Sequence, residues 1–286
     1  MKSKIFDTFL FFNELDLLEI RLNTLYDYVD YFVISECCET FSGKKKPLHY
    51  EINKARFEKF SNKIIHQILD HIPHNFNGFN KTYFTDYTKS YPHKHDGKPL
   101  NKLSISFQNE VYQRDSIITP ILKIANDSDI IFMSDLDEIP RPSILDKSIK
   151  YLEKCDLVHF QMSWYLYYLN NFLDKDWFGT RVCKLKHLKK YSYDLLQYHK
   201  EDISKLSGGI IIKNGGWHFS FLGGEEKIIE KLNSYDYQGG RTAFFLKIID
   251  KIFKNRIRNK LKKNKDIFLT NRKIMTVEFD NSFPKY

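Results

Sequence analysis

Apolar and polar residues fall in blocks along this chain, and the block lengths switch between those of strands and those of helices. Ile5 to Phe12 is almost continuously apolar, the pattern of a strand covered on both faces. Asn13, with Asp16 three residues on, resembles a helix start, and Leu15, Leu18, Leu22 and Leu25 form one apolar stripe behind it. Val29 to Ser35 reads as a second strand ending in Glu36, and a polar loop from Glu39 to Pro47 comes after it. A short helix around Asn53 to Phe60 and a third strand, Lys63 to Leu69, come next. Helical periodicity over Ser104 to Ala125 leads into a fourth strand at Ile130. This order, β-α-β-α-β-α-β, predicts an α/β fold: a Rossmann-type, mostly parallel sheet with right-handed crossovers, flanked by helices. Between the third strand and the long helix, His71 to Leu100 is polar and aromatic and longer than ordinary connections, which predicts a functional loop or lid.

The second half is less regular. Pro142 opens a helix to about Lys154, Leu157 to Tyr168 is extended and aromatic-rich, and Lys227 to Leu232 is helical. Glycine pairs at Gly208-Gly209, Gly215-Gly216 and Gly223-Gly224 punctuate it. The sequence shows no repeat and no low-complexity linker, so we expect one catalytic-sized domain, residues 1–240, and an extension, 241–286.

The fourth strand carries the first chemical signal. Ile130-Ile131-Phe132-Met133 is succeeded at once by Ser134-Asp135-Leu136-Asp137-Glu138. Open α/β sheets bind ligands outside the carboxyl ends of their strands, where these carboxylates fall. Two aspartates at i and i+2 suit a hard cation, Mn2+ or Mg2+, bridging the protein to a diphosphate. The same acids before Pro140 also suit a helix start, with Asp137 as cap and Glu138 favoured by the helix dipole.

Composition narrows the classes. With 286 residues and 42% hydrophobic content, the chain can bury a large core. No apolar run reaches the roughly 18 residues that span a bilayer, and the N-terminal segment does not read as a signal peptide. We therefore expect a cytoplasmic protein, soluble or peripheral to a membrane. Cys37, Cys38, Cys155 and Cys183 show no zinc spacing and fit reduced thiols. The net charge of +9 is concentrated in residues 241–275, where 12 Lys and Arg face Asp250 and Asp266, leaving the rest near −1. Apolar residues recur there at helical spacing between the cations. That basic amphipathic pattern is read either as a helix packed with a solvated face or as a peripheral membrane contact; nucleic acid is not expected as a partner.

Five ordered blocks of this chain together resemble glycosyltransferase family 17. They are Asp7 to Leu22, the Thr40-Phe41-Ser42-Gly43-Lys44 turn, Gln113-Arg114-Asp115, Asp135 to Pro140, and Gly216-Trp217-His218-Phe219-Ser220. That family includes enzymes adding bisecting N-acetylglucosamine to the β-mannose of N-glycans. The resemblance implies a GT-A-like fold, a UDP-sugar donor such as UDP-N-acetylglucosamine, a glycan acceptor, a divalent metal, and inversion at the anomeric carbon.

With that chemistry implied, further residues take roles. Asp137 is expected as the direct metal ligand, Asp135 at the ribose or at the metal, and His218 as a second ligand or diphosphate contact. Inversion by single displacement needs a base for the acceptor hydroxyl, and Glu225 and Glu226 come after the Gly223-Gly224 pair in a suitable loop. The alternative for both is an ordinary place at a helix N-terminus, and Glu138, Asp194 and Asp202 compete for the role of base. Arg114 is expected at the diphosphate or in a surface ion pair. Glu36, Thr40 and Lys44 are expected near uracil, ribose or phosphate. Trp164, Tyr165, Tyr167, Tyr168, Trp177 and Trp217 suit either sugar stacking or core filling.

Two other functions compete. A nucleotidyl- or phosphotransferase would use the same aspartates but would want a glycine-rich phosphate loop after the first strand, and Asp7 to Glu14 contains no glycine. A non-catalytic protein binding an anionic surface or nucleic acid would rely on the basic tail and need no metal.

Overall fold

The computed structural model describes residues 2–72, 94–95, 98–99, 104–190, 193, 196, 209–234, 255, 258–263, 265, 272–281 and 283–284. Its strands are β1 (Ile5–Phe11), β2 (Tyr31–Cys37), β3 (Ile64–Leu69), β4 (Lys94–His95), β5 (Lys98–Pro99), β6 (Ile130–Met133), β7 (Glu138–Pro140), β8 (Val158–Leu166), β9 (Asn171–Lys184), β10 (Ile210–Ile212), β11 (Gly216–Ser220) and β12 (Met275–Thr276). The main sheet runs β3-β2-β1-β6-β9-β8-β11-β7, with β10 on β8 and β12 on β9; β4 and β5 pair separately.

The first half has the expected α/β pattern. β1 lies parallel to β2 on one side and to β6 on the other, and β2 is parallel to β3. Phe6, Phe9, Phe32, Val33, Ile131 and Phe132 are buried on both faces, which explains why these strands read as unbroken apolar runs. Helix Leu15–Leu25 packs Leu18, Leu22 and Leu25 into the core, as their stripe requires. The periodicity from Ser104 divides in two: Ile105–Ser116, capped by the Ser104 hydroxyl accepting from the Phe107 N–H, and a single turn at Ile118–Ile121.

The second half is mixed rather than parallel. β9 lies antiparallel between β6 and β8, β11 is parallel to β8, and β7 closes antiparallel on β11. Gly216 permits that closure, because a Cβ there would collide with the Ile139 carbonyl oxygen.

Part of the expected extension is described. β12 adds to β9 through Met275 opposite Phe172, and the Val277 N–H donates to the Asn170 carbonyl at 2.9 Å. Ile274 is buried in one apolar cluster and Phe283 packs against another. Most of residues 241–275, including the expected membrane contact, lies outside the described residues, as does most of the expected loop from His71 to Leu100. Among the described residues no helix is long and apolar enough to cross a membrane. All four cysteines are free thiols.

Candidate active site

The acidic segment between β6 and β7 is held from below by a buried arginine. Arg21, on helix Leu15–Leu25, is fully buried and clamps Asp7 of β1 with two bonds of 2.7 and 2.6 Å. Its remaining N–H groups donate to the carbonyls of Asp135, Leu136 and Glu138 at 3.0, 3.1 and 2.8 Å and to the Ser134 hydroxyl at 2.7 Å. The guanidinium fork thus fixes the course of the backbone over residues 134–138 from a single point. Three carbonyls turned down onto Arg21 leave the Asp135 and Asp137 side chains facing a cleft of about 510 Å³.

Each carboxylate already has a cationic neighbour. Asp135 accepts from Arg114 at 2.7 Å, and Arg114, nearly buried, also binds Glu110 at 2.9 Å. Asp137 accepts from the Lys231 ammonium at 2.9 Å, and the same ammonium lies 3.1 Å from Glu14. On its other oxygen Asp137 meets His218 Nε2 at 3.5 Å. Burial alone would raise the Asp137 pKa, but Lys231 and His218 more than offset it and hold the group well below the usual carboxylate range.

The donor set fits a divalent ion that keeps open positions. A carboxylate oxygen of Asp137 and the His218 Nε2, 3.5 Å apart, are donor types that such an ion accepts, and both face the cleft. His218 Nδ1 is buried with no hydrogen-bond partner, while Nε2 is 2.7 Å from the Ser220 hydroxyl. Among the described residues no group of three or more His, Cys, Asp or Glu converges to cage a metal. Mg2+ and Mn2+ commonly take one or two protein ligands and fill the rest with water and phosphate oxygens, so this sparse set suits them.

An aromatic wall orients His218. Its ring stacks on Trp177 at 4.1 Å and on Trp164 at 5.6 Å between centroids. The Trp177 indole donates to Glu138 at 2.6 Å, and the Asp135 N–H donates to the other Glu138 oxygen at 3.1 Å. Burial, with Asp135 and Asp137 nearby, pushes Glu138 up to about 7. Trp164 and Trp177 line the cleft, whereas Tyr165, Tyr167 and Trp217 are core residues. Arg272 reaches back over Trp164, its guanidinium 5.5 Å from the ring centroid, and joins the lining.

Of the residues expected from the sequence, Asp135, Asp137, His218, Arg114 and Thr40 come together around this cleft. Thr40 is placed by a tight turn in which Gly43 takes φ +79°, and that turn is tied down by Asn109 donating to the Phe41 carbonyl at 2.9 Å. The others stand elsewhere. Glu36 belongs to β2 itself and is fully buried, accepting from the Tyr50 N–H at 3.1 Å beside Lys46 at 3.6 Å and His66 at 3.3 Å. Lys44 has an exposed side chain outside the lining. Glu225 and Glu226 occupy the first turn of helix Gly224–Ser234, with Glu225 bound to Arg258 at 2.9 Å; neither lines the cleft. Asp7, Arg21, Glu14 and Lys231 were not anticipated. The signal for the first two was a charge where the apolar period demanded none: Asp7 inside a buried strand, and Arg21 beside Leu22 on a buried helix.

The sequence profile of glycosyltransferase family 17 matches residues 1–90 and 72–271. The human β-1,4-mannosyl-glycoprotein 4-β-N-acetylglucosaminyltransferase is 36% identical over 63 residues, which are 21% of this chain and 12% of that protein. The rat protein gives the same figures. The match thus spans only about an eighth of the length of these relatives. Among solved structures, S. aureus TarS 1-349 aligns over 89% of this chain and 78% of its own, with 11% identity and a TM-score of 0.39. The galactosyltransferase LgtC, solved with donor and acceptor sugar analogs, aligns over 72% of each chain with 12% identity and a TM-score of 0.35.

Proposed function

This chain belongs to glycosyltransferase family 17, and on that premise we propose that its cleft moves N-acetylglucosamine, or a related sugar, from a UDP-sugar to a glycan hydroxyl with inversion. The observation that carries the reading is the acid pair Asp135 and Asp137, displayed at the end of β6 on a cleft that also holds Arg114, Lys231 and His218.

Breaking the bond between the anomeric carbon and the diphosphate leaves an electron pair, and negative charge, on a phosphate oxygen. Asp137 and His218, with Asp135, would hold Mn2+ or Mg2+, which supplies a Lewis acid for that charge. Arg114 presents a planar fork suited to phosphate and is already oriented by Glu110 and Asp135. Trp177 and Trp164 keep the His218 ring from turning. Thr40, in the turn after β2, and Gln113, on helix Ile105–Ser116, also line the cleft and offer neutral hydrogen bonds to a nucleoside.

The acceptor oxygen attacks the anomeric carbon as the diphosphate departs, and its proton passes to a carboxylate. Among the described residues, Glu14 and Glu39 are, apart from the acid pair, the carboxylates on the lining, and Glu225 and Glu226 stand outside it. Glutamine variants of these four identify the base as the one whose loss stops transfer while donor still binds.

The test is a panel of UDP- and GDP-sugars with Mn2+ or Mg2+, scored for hydrolysis, transfer and protection against heat unfolding, since a ligand bound only by the native state raises apparent stability. Asp137→Ala should abolish metal-dependent turnover. Near-normal turnover by that variant, or the absence of any nucleotide sugar that protects the protein, overturns the reading.

A further inference from the structure

Lys231 stands where a divalent ion would have to compete. Its ammonium is 2.9 Å from Asp137 and 3.1 Å from Glu14, and its side chain is only 16% exposed, so the contact is set by packing and not by a loose surface pair. The opposite oxygen of Asp137 faces His218. An ion bound between Asp137 and His218 would therefore meet a fixed positive charge across a single carboxylate.

Charge balance favours the joint arrival of metal and diphosphate. Among the described residues, the cleft lining carries four acids, Glu14, Glu39, Asp135 and Asp137, and four cations, Lys46, Arg114, Lys231 and Arg272. A divalent ion arriving alone adds uncompensated positive charge in a partly buried site, where Coulomb terms are weakly screened. A diphosphate arriving alone finds Arg114 and Lys231 already engaged by carboxylates. The two arriving together keep the balance, provided Lys231 transfers from Asp137 to the phosphate oxygens. Lysine suits such a transfer, because its charge sits at the end of a flexible four-carbon stem with three rotatable donors. Arg114, held by Glu110 as well as Asp135, is the fixed counterpart.

We propose that Lys231 is an exchangeable counter-ion: it neutralises Asp137 before the donor arrives, yields that carboxylate to the divalent ion, and moves onto the incoming diphosphate. Lys231 is thereby the residue that makes metal and nucleotide bind as a unit. The inference rests on reading the cleft as a nucleotide-sugar site, and it concerns binding, so it is tested without turnover.

Mn2+ binding to the intact chain is measured by calorimetry and by the electron paramagnetic resonance of free Mn2+, with and without UDP, for wild type, Lys231→Gln and Lys231→Arg. Wild type should bind Mn2+ weakly alone and roughly tenfold or more tightly with UDP, a coupling of ordinary size. Lys231→Gln should bind Mn2+ alone roughly tenfold more tightly than wild type and lose most of the gain from UDP. Lys231→Arg, which keeps the charge, should bind Mn2+ alone as weakly as wild type. Equal or weaker Mn2+ binding by Lys231→Gln without UDP, while wild type still binds Mn2+ with UDP, overturns the exchange and leaves the nucleotide-sugar reading standing. Failure of wild type to bind Mn2+ under either condition overturns both. Should Lys231→Gln not fold, reductive 13C-methylation of wild type provides the second measurement, its Lys231 signal identified as the one missing from Lys231→Arg. That signal should move when Mg2+ and UDP are added together and stay with either alone; a signal indifferent to the pair overturns the proposal.

Discussion

Replacing Arg21 with methionine isolates the device that shapes the acidic segment. Arg21 and Asp7 are both fully buried, and the five N–H groups of the guanidinium reach six acceptors: two on Asp7, the Ser134 hydroxyl, and the carbonyls of residues 135, 136 and 138, which share Nη1. Methionine fills much of the same volume but leaves the Asp7 carboxylate buried without its partner. Breaking a buried pair in this way costs about 3–5 kcal/mol, a large share of the roughly 5–15 kcal/mol that holds a domain folded. The double variant Arg21→Met/Asp7→Leu removes the stranded charge as well, and should recover about 2 kcal/mol or more of the loss, since the carbonyls and Ser134 then account for the remainder. Urea unfolding at pH 7, monitored by tryptophan fluorescence and circular dichroism, gives the midpoints. On the function proposed for the cleft, the double variant should still lose nucleotide and metal binding, because nothing turns the carbonyls of residues 135, 136 and 138 downward. A single variant within about 1 kcal/mol of wild type, or a double variant no more stable than the single, would refute the clamp.

The site and the sheet each predict one further outcome. Glu138 is raised to about 7 by burial and by its acidic neighbours, against an ordinary value of 4.5. Between those pH values the folded protein keeps a proton that the unfolded chain releases. Wild type should therefore lose stability relative to Glu138→Gln as pH rises from 5 to 8, by roughly 2–3 kcal/mol; parallel pH profiles in thermal unfolding would contradict the buried acid. Gly216→Ala drives a methyl into the Ile139 carbonyl and should cost about 1–3 kcal/mol while weakening the β7–β11 pairing. Hydrogen exchange at Trp217 and at Phe219, whose N–H donates to the Asp137 carbonyl at 2.8 Å, reads that pairing directly, and unchanged protection there would count against it.

The parallel half of the fold was legible because each strand is buried on both faces and so appears as an apolar run with turn signals on either side. β6 and the acids after it were legible for the same reason. β9 was not: Asp174, Lys175 and Asp176 interrupt its alternation midway, where the strand is exposed, and its pairing to β8 shifts register three times. A period-2 pattern cannot survive such slips. Glu36 was misplaced through its position at a strand end, where acids so often meet ligands; here the strand continues through Cys37 and turns the carboxylate into a buried cage of Tyr50, Lys46 and His66. Glu225 and Glu226 show the ordinary alternative, acids at a helix N-terminus. Lys231 gave no signal because its role depends on a contact 94 residues away along the chain.

Arg272 leans over Trp164, and three residues later β12 zips onto the start of β9. The rim of the cleft is thus supplied by chain that leaves the ribosome well after the acids it surrounds. A nascent protein arrested before residue 272 would already contain Asp135, Asp137 and His218, yet would lack one side of the mouth above them. The mouth of the cleft is accordingly completed later in synthesis than the acids at its floor.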